Sequence, residues 1–210
     1  GGTLAANGNV TLATGSTLTN ANTIAAGRLI TLSAATFDNS RGNLGADQLA
    51  LHASDLVNRS GTITQTGTGT TTLDVTGTLD NSGGTLQTNS DSLSLSPAAL
   101  VNDNGTIASS GTGTLTVNTA TLSNNGGTIA TNGALDVRSG AASNRGGTLA
   151  AQTGATLHVA SLDNSSGGYV GAQTVSVSGT GAVNNAGGTI QADDTLSISA
   201  QSVANDGGSI

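Results

Sequence analysis

Hydrophobic positions along this chain fall into three short phrases that return together about every twenty residues. One phrase reads Leu79-Asp80-Asn81-Ser82-Gly83-Gly84-Thr85-Leu86. It comes back as Leu122-Ser123-Asn124-Asn125-Gly126-Gly127-Thr128-Ile129 and as Val183-Asn184-Asn185-Ala186-Gly187-Gly188-Thr189-Ile190. The aliphatic residue that closes it stands at Leu4, Ile24, Leu44, Ile63, Leu86, Ile107, Ile129, Leu149, Val170, Ile190 and Ile210. The intervals are 20, 20, 19, 23, 21, 22, 20, 21, 20 and 20 residues. A fixed period of this size is the sequence sign of a solenoid.

Each interval carries a second phrase, apolar–x–apolar, as in Val10/Leu12, Ile30/Leu32, Leu73/Val75, Leu93/Leu95, Leu115/Val117, Leu135/Val137, Val175/Val177 and Leu196/Ile198. A third places an apolar residue two before an Asn: Leu18/Asn20, Phe37/Asn39, Leu56/Asn58, Leu79/Asn81, Leu100/Asn102, Leu122/Asn124, Leu162/Asn164, Val183/Asn185 and Val203/Asn205, with Ala142 before Asn144. All three alternate with period two, the strand signature, and none with a helical period. The pattern predicts an all-β chain: a right-handed parallel β-helix of about ten coils of about twenty residues, with three short strands per coil. Residues 1–210 read as one β-helix segment. Length variation concentrates in the turn after the first strand, long from Thr64 to Thr71 and short from Gly45 to Gln48, where a solvated corner tolerates it. Gly-Gly before the first strand gives a tight corner its backbone freedom.

One such coil buries too little to order itself. Stacked coils pair each strand with the strands above and below, so stability becomes a sum over neighbours. Ten coils at about 4.8 Å each make a rod of roughly 50 Å. Leu79 and Asn81 share a face, so the Asn points inward at the corner. The same holds for Asn20, Asn39, Asn58, Asn81, Asn102, Asn124, Asn144, Asn164, Asn185 and Asn205. A buried amide left alone is costly, but a stack satisfies itself, each carbonyl accepting from the next amide. This ladder is expected to fix register and to bind nothing.

Composition agrees with strands and turns. There are 32 Gly, one Phe, one Tyr, and no Trp, Met or Cys; Lys and Glu are absent, so all 12 acids are Asp and all 5 bases are Arg. A net charge of −7 argues against nucleic acid as a partner. No apolar run is long enough to cross a membrane as a helix. The chain opens mid-repeat at Gly1-Gly2-Thr3-Leu4 and stops mid-repeat at Gly207-Gly208-Ser209-Ile210, which reads as a piece excised from a longer array.

Candidate chemistry is sparse. Asp38, Asp80 and Asp163 precede ladder Asn residues in non-adjacent coils, so no catalytic carboxylate pair is expected there. Asp193-Asp194 is expected in a turn beside Gln173. Asp136 and His158 are expected to face one another across neighbouring coils as a surface ion pair, with Thr116 and Ser176 too poor as ligands to make a metal site. His52 is expected to lack such a partner, and Arg138 and Arg145 to be isolated. An outward Thr column (Thr3, Thr23, Thr62, Thr85, Thr106, Thr128, Thr148, Thr189) suggests ice binding. The residues two further on, Ala5, Ala25, Thr64, Gln87, Ala108, Ala130, Ala150 and Gln191, fail to supply a second column. Tyr169 replaces the Thr after an extra residue at Ser166 and is the candidate contact for a partner or glycan. Neither an enzyme nor a cofactor or metal site is expected.

The phrase aliphatic-x-Asn-x-Gly-Gly-Thr-aliphatic, alternating with apolar-x-apolar, resembles the repeats of filamentous haemagglutinin-like exoproteins. These include large adhesins and contact-dependent growth inhibition proteins of Gram-negative bacteria. Leu79–Leu86 and Leu122–Ile129 carry the resemblance best, while Gly42-Asn43 and Ala21-Asn22 depart from it. The resemblance implies two-partner secretion through an outer-membrane β-barrel transporter, folding outside the cell, and a place at the bacterial surface in adhesion or virulence. The chain would be a structural shaft that extends a distal binding or toxin region. The alternative is that the segment itself is a receptor- or glycan-binding surface. Absence of Cys suits a chain threaded unfolded through a transporter.

Overall fold

The computed structural model describes residues 2–210. The described residues hold no helix; twenty-one strands join in one sheet, and every pairing is parallel. Each strand pairs with the equivalent strand one coil away. Leu4 thus lies beside Ile24, Ile24 beside Leu44, Leu44 beside Ile63, and so on to Val170 beside Ile190. The molecule is a β-solenoid of about ten turns.

Alternation decides what goes inside. Ile24, Leu44, Ile63, Leu86, Ile107, Ile129, Leu149, Val170 and Ile190 form one inner column, and Phe37, Leu56, Leu79, Leu100, Leu122, Leu162 and Val183 another, all buried in a single core. Their neighbours in sequence point out and are small or polar. In the first and last coils, with a neighbour on one side only, Leu4, Val203 and Ile210 are exposed.

The strands are not uniformly short. Thr23–Asp38 and Asn43–Val57 each run unbroken through all three faces, and Thr114–Ser123, Ala134–Ser143 and Gly154–Asp163 join the second and third. Where adjacent coils have corners of similar length, their backbones stay in register around the bend and the ladder continues. Where lengths differ the strands separate. The long corner after Ile63 is held by Gln65, a buried polar residue. Its Oε1 accepts the Leu49 N–H at 3.0 Å, while its Nε2 donates to the carbonyls of Gly67 and Gly69, at 3.2 and 2.6 Å. Next to it the sheet lapses: among the described residues, no ladder joins Thr72–Val75 to Leu93–Leu95.

The Gly-Gly corner divides its work. The first position takes left-handed backbone, with φ of 62° at Gly83, 62° at Gly126 and 61° at Gly146, and other coils place Arg41, Ser60 and Asn104 there with φ of 60°, 53° and 55°. The second has ordinary φ but no room. A Cβ on Gly42, Gly61, Gly84, Gly105, Gly127, Gly147, Gly168, Gly188 or Gly208 would run into the backbone carbonyl of the ladder Asn one coil below. Backbone freedom therefore explains only the first glycine; close stacking of coils explains the second.

Candidate functional site

The polar interior is a column of side-chain amides. The Nδ2 of Asn20 donates to Oδ1 of Asn39, and the relay passes through Asn58, Asn81, Asn102, Asn124, Asn144, Asn164 and Asn185 to Asn205, each bond 2.7 Å long. Each inner Nδ2 also meets two backbone carbonyls. Asn124 donates to Gly127 O of its own coil at 3.2 Å and to Thr148 O of the next at 3.1 Å. Asn39 to Asn185 are fully buried, so every donor and acceptor on them has to find a partner within the rod. All the amides point the same way along the axis, so their dipoles add head to tail and polarise one another.

A second, outer row supports this corner. Asp38, Asp80, Asp163 and Asn184 each accept, through Oδ1, the N–H two residues on, turning the chain at the ladder Asn. With the N–H two residues on bonded to the neighbouring corner instead, Ser123 and Ser143 do not make that turn bond. They donate instead to Asp103 Oδ1 and Asn125 Oδ1 of the neighbouring corner, both at 2.6 Å. Asp80 is nearly buried and bonds Arg59 Nε at 2.6 Å. Burial alone would push its carboxyl up, but hydrogen bonds from the hydroxyl and N–H of Ser82, together with Arg59, outweigh that and hold it below its ordinary value.

Four expectations about surface charges are corrected. Asp136 lies opposite Thr156, not His158; His158 lies opposite Arg138 and hydrogen-bonds Ser178 Oγ at 2.7 Å through Nδ1. The frame slipped by two residues because Ala155, not Leu157, fills the first inward position beside Leu135. His52 does have a partner, Asp74 at 3.2 Å, in a register hidden by the long corner between them. Arg138 and Arg145 are not isolated: Arg138 pairs with Asp136 at 3.1 Å and Arg145 reaches Asp163 at 3.8 Å. All four side chains of these two pairs are solvent-accessible, so they contribute at most about 1 kcal/mol each. Asp193 and Asp194 sit not in a free turn but in the strand run Thr189–Ser199, at a bulge where the two of them oppose the single residue Gln173.

Tyr169 stands between Thr148 and Thr189 in the outward column. The ring's Cε1–Cζ–Oη edge rests on Gly171, occupying the space a Cβ would need there. Beside it lies a depression of about 280 Å³ whose lining includes Gln152, Gln173, Gln191 and Asp193. Reading Tyr169 alone missed these companions, although Gln152 and Gln173 recur at the same corner in successive coils. A larger groove of about 430 Å³ follows the third face past Ala141, Ser143 and Ser161. Its lining is small and mostly uncharged. No group of three or more His, Cys, Asp or Glu side chains among the described residues is placed to hold a metal ion.

A stack of parallel coils with an amide spine and small, weakly charged faces defines a β-solenoid. Sequence comparison gives the family: the haemagglutinin repeat matches residues 1–83, 82–180 and 170–210, and the chain belongs to that family. No curated protein and no solved structure matches it.

Proposed function

We propose that this chain is a length of shaft in a filament exported to the surface of a Gram-negative bacterium, where it holds a distal adhesive or toxin-bearing region away from the cell. Proteins with haemagglutinin repeats are typically secreted or found at the cell surface. The observation that carries the reading is the amide relay, which continues from Asn20 to Asn205 without a break. A solenoid bonded coil to coil transmits length and stiffness, which is what a spacer needs. Export would run through an outer-membrane transporter of the two-partner type, and a chain without Cys passes it with no disulfide to obstruct threading.

The test is to duplicate or delete this segment within its exported protein and measure the filament by electron microscopy on intact cells. Duplication should lengthen it by roughly 50 Å at constant width, with the segment open to antibody on unbroken cells. A filament of unchanged length, or a segment labelled only after lysis, would refute the shaft.

A further inference from the structure

Several departures from the repeat meet at one coil and its neighbour. The extra residue Ser166 makes its corner carry two left-handed residues in a row, Ser166 with φ of 60° and Gly167 with φ of 86°. Tyr169 replaces Thr, Gly171 clears space beneath its ring, and the next corner bulges where Asp193 and Asp194 oppose Gln173. Core packing requires none of this, since Val170 fills the same inner column as Leu149 and Ile190. In repeat proteins, local insertions map to loops on one face, which is often the face that binds.

We propose that the cleft beside Tyr169 is a binding subsite for a neutral pyranose sugar, a function beyond that of a spacer. Tyr169 is the chain's single Tyr, the one Phe (Phe37) is fully buried, and there is no Trp. The only outward aromatic is therefore the one in this cleft. Its ring is braced on Gly171 and stays partly exposed, so little side-chain freedom is lost when the C–H face of a sugar packs on it. Gln152, Gln173 and Gln191 are three of the seven Gln in the chain. Their amides, the Asp193 carboxylate and the Tyr169 hydroxyl make no side-chain hydrogen bond to another described residue. An amide offers a donor and an acceptor side by side, and a carboxylate accepts from two adjacent hydroxyls; a ring of vicinal hydroxyls complements both.

Charge selects the class. Asp193 in the lining, on a chain of net charge −7, repels anionic sugars, and no Arg lines the cleft. At about 280 Å³ the cleft holds a terminal sugar rather than an extended chain.

The natural chain makes its own assay, because Tyr169 is its sole strong fluorophore. Titration with neutral oligosaccharides built from galactose, mannose or N-acetylglucosamine should change its emission saturably for at least one of them. Saturation-transfer NMR should place that sugar's ring protons against the protein. Tyr169→Thr, which removes the fluorophore and is therefore titrated by saturation-transfer NMR, restores the residue the column uses elsewhere and should weaken binding about tenfold or more with the melting temperature unchanged; Gln152→Ala with Gln191→Ala should do likewise. No saturable signal with any of these sugars up to about 10 mM would overturn the proposal. So would undiminished binding by Tyr169→Thr, or a preference for sialylated glycans or an Arg-rich peptide. None of these outcomes touches the shaft reading, which is decided by filament length.

Discussion

A fully buried asparagine is an expensive residue unless all its polar atoms are bonded, and here the partner for each is the same residue one coil away. Replacing Asn124 by Leu takes the donor from Asn144 Oδ1 and the acceptor from Asn102 Nδ2 at one stroke. The melting temperature should fall by the equivalent of about 1–3 kcal/mol; an unchanged transition would mean the relay contributes nothing to stability. The neighbouring glycines separate two causes. Gly126→Asn should stay within about 1 kcal/mol of the parent, because Asn104 already occupies that left-handed slot one coil away and its exposed amide, the only group a new Cβ would meet closely, is free to turn aside. Gly127→Ala drives a methyl group at Asn102 O and should destabilise by about 1–3 kcal/mol. Thermal denaturation of both variants checks the contrast, and equal losses would contradict it. The column of Asn positions is legible in the Leu-x-Asn phrase. That the second Gly is excluded-volume chemistry is not, because the obstructing carbonyl belongs to a residue 22 to 26 positions earlier.

At the scale of the strand, period-two alternation shows which residues face inward but not which residue of the next coil each one meets. Corner length sets that register, and small inward residues hide it. Ala155 is too small to read as a core residue, so alternation alone sets Asp136 against His158; the eight residues from Thr64 to Thr71 conceal the match of His52 with Asp74. Among the described residues the one lapse in the ladder lies just beyond that corner, between Thr72–Val75 and Leu93–Leu95. Backbone groups without a cross-strand partner open more readily. Hydrogen–deuterium exchange should therefore be faster at Thr72–Val75 and Leu93–Leu95 than at Leu115–Val117, which is paired on both sides. Uniform protection across the second face would contradict that. The lining of the Tyr169 cleft was illegible for a related reason: Gln152, Gln173, Gln191 and Asp193 are scattered in sequence, and only the stacking of corners, with a bulge in the last, gathers them.

For the whole molecule, every long-range feature reduces to one displacement repeated along an axis. The sequence discloses that displacement through its period, which is why the architecture is readable without coordinates while the individual ion pairs are not. Absence of Cys makes the displacement directly measurable, since pairs of Cys can be introduced and spin-labelled with no background. Labels at outward positions of the Thr column, Thr23 with each of Thr62, Thr106, Thr148 and Thr189, span increasing numbers of coils. Electron–electron double resonance should return narrow distances that grow linearly with the number of coils crossed, by about 4.8 Å per coil. Distances that saturate, scatter broadly or fail to rise with coil number would show that like residues do not lie over one another, and the account of this chain as a stacked rod would be wrong.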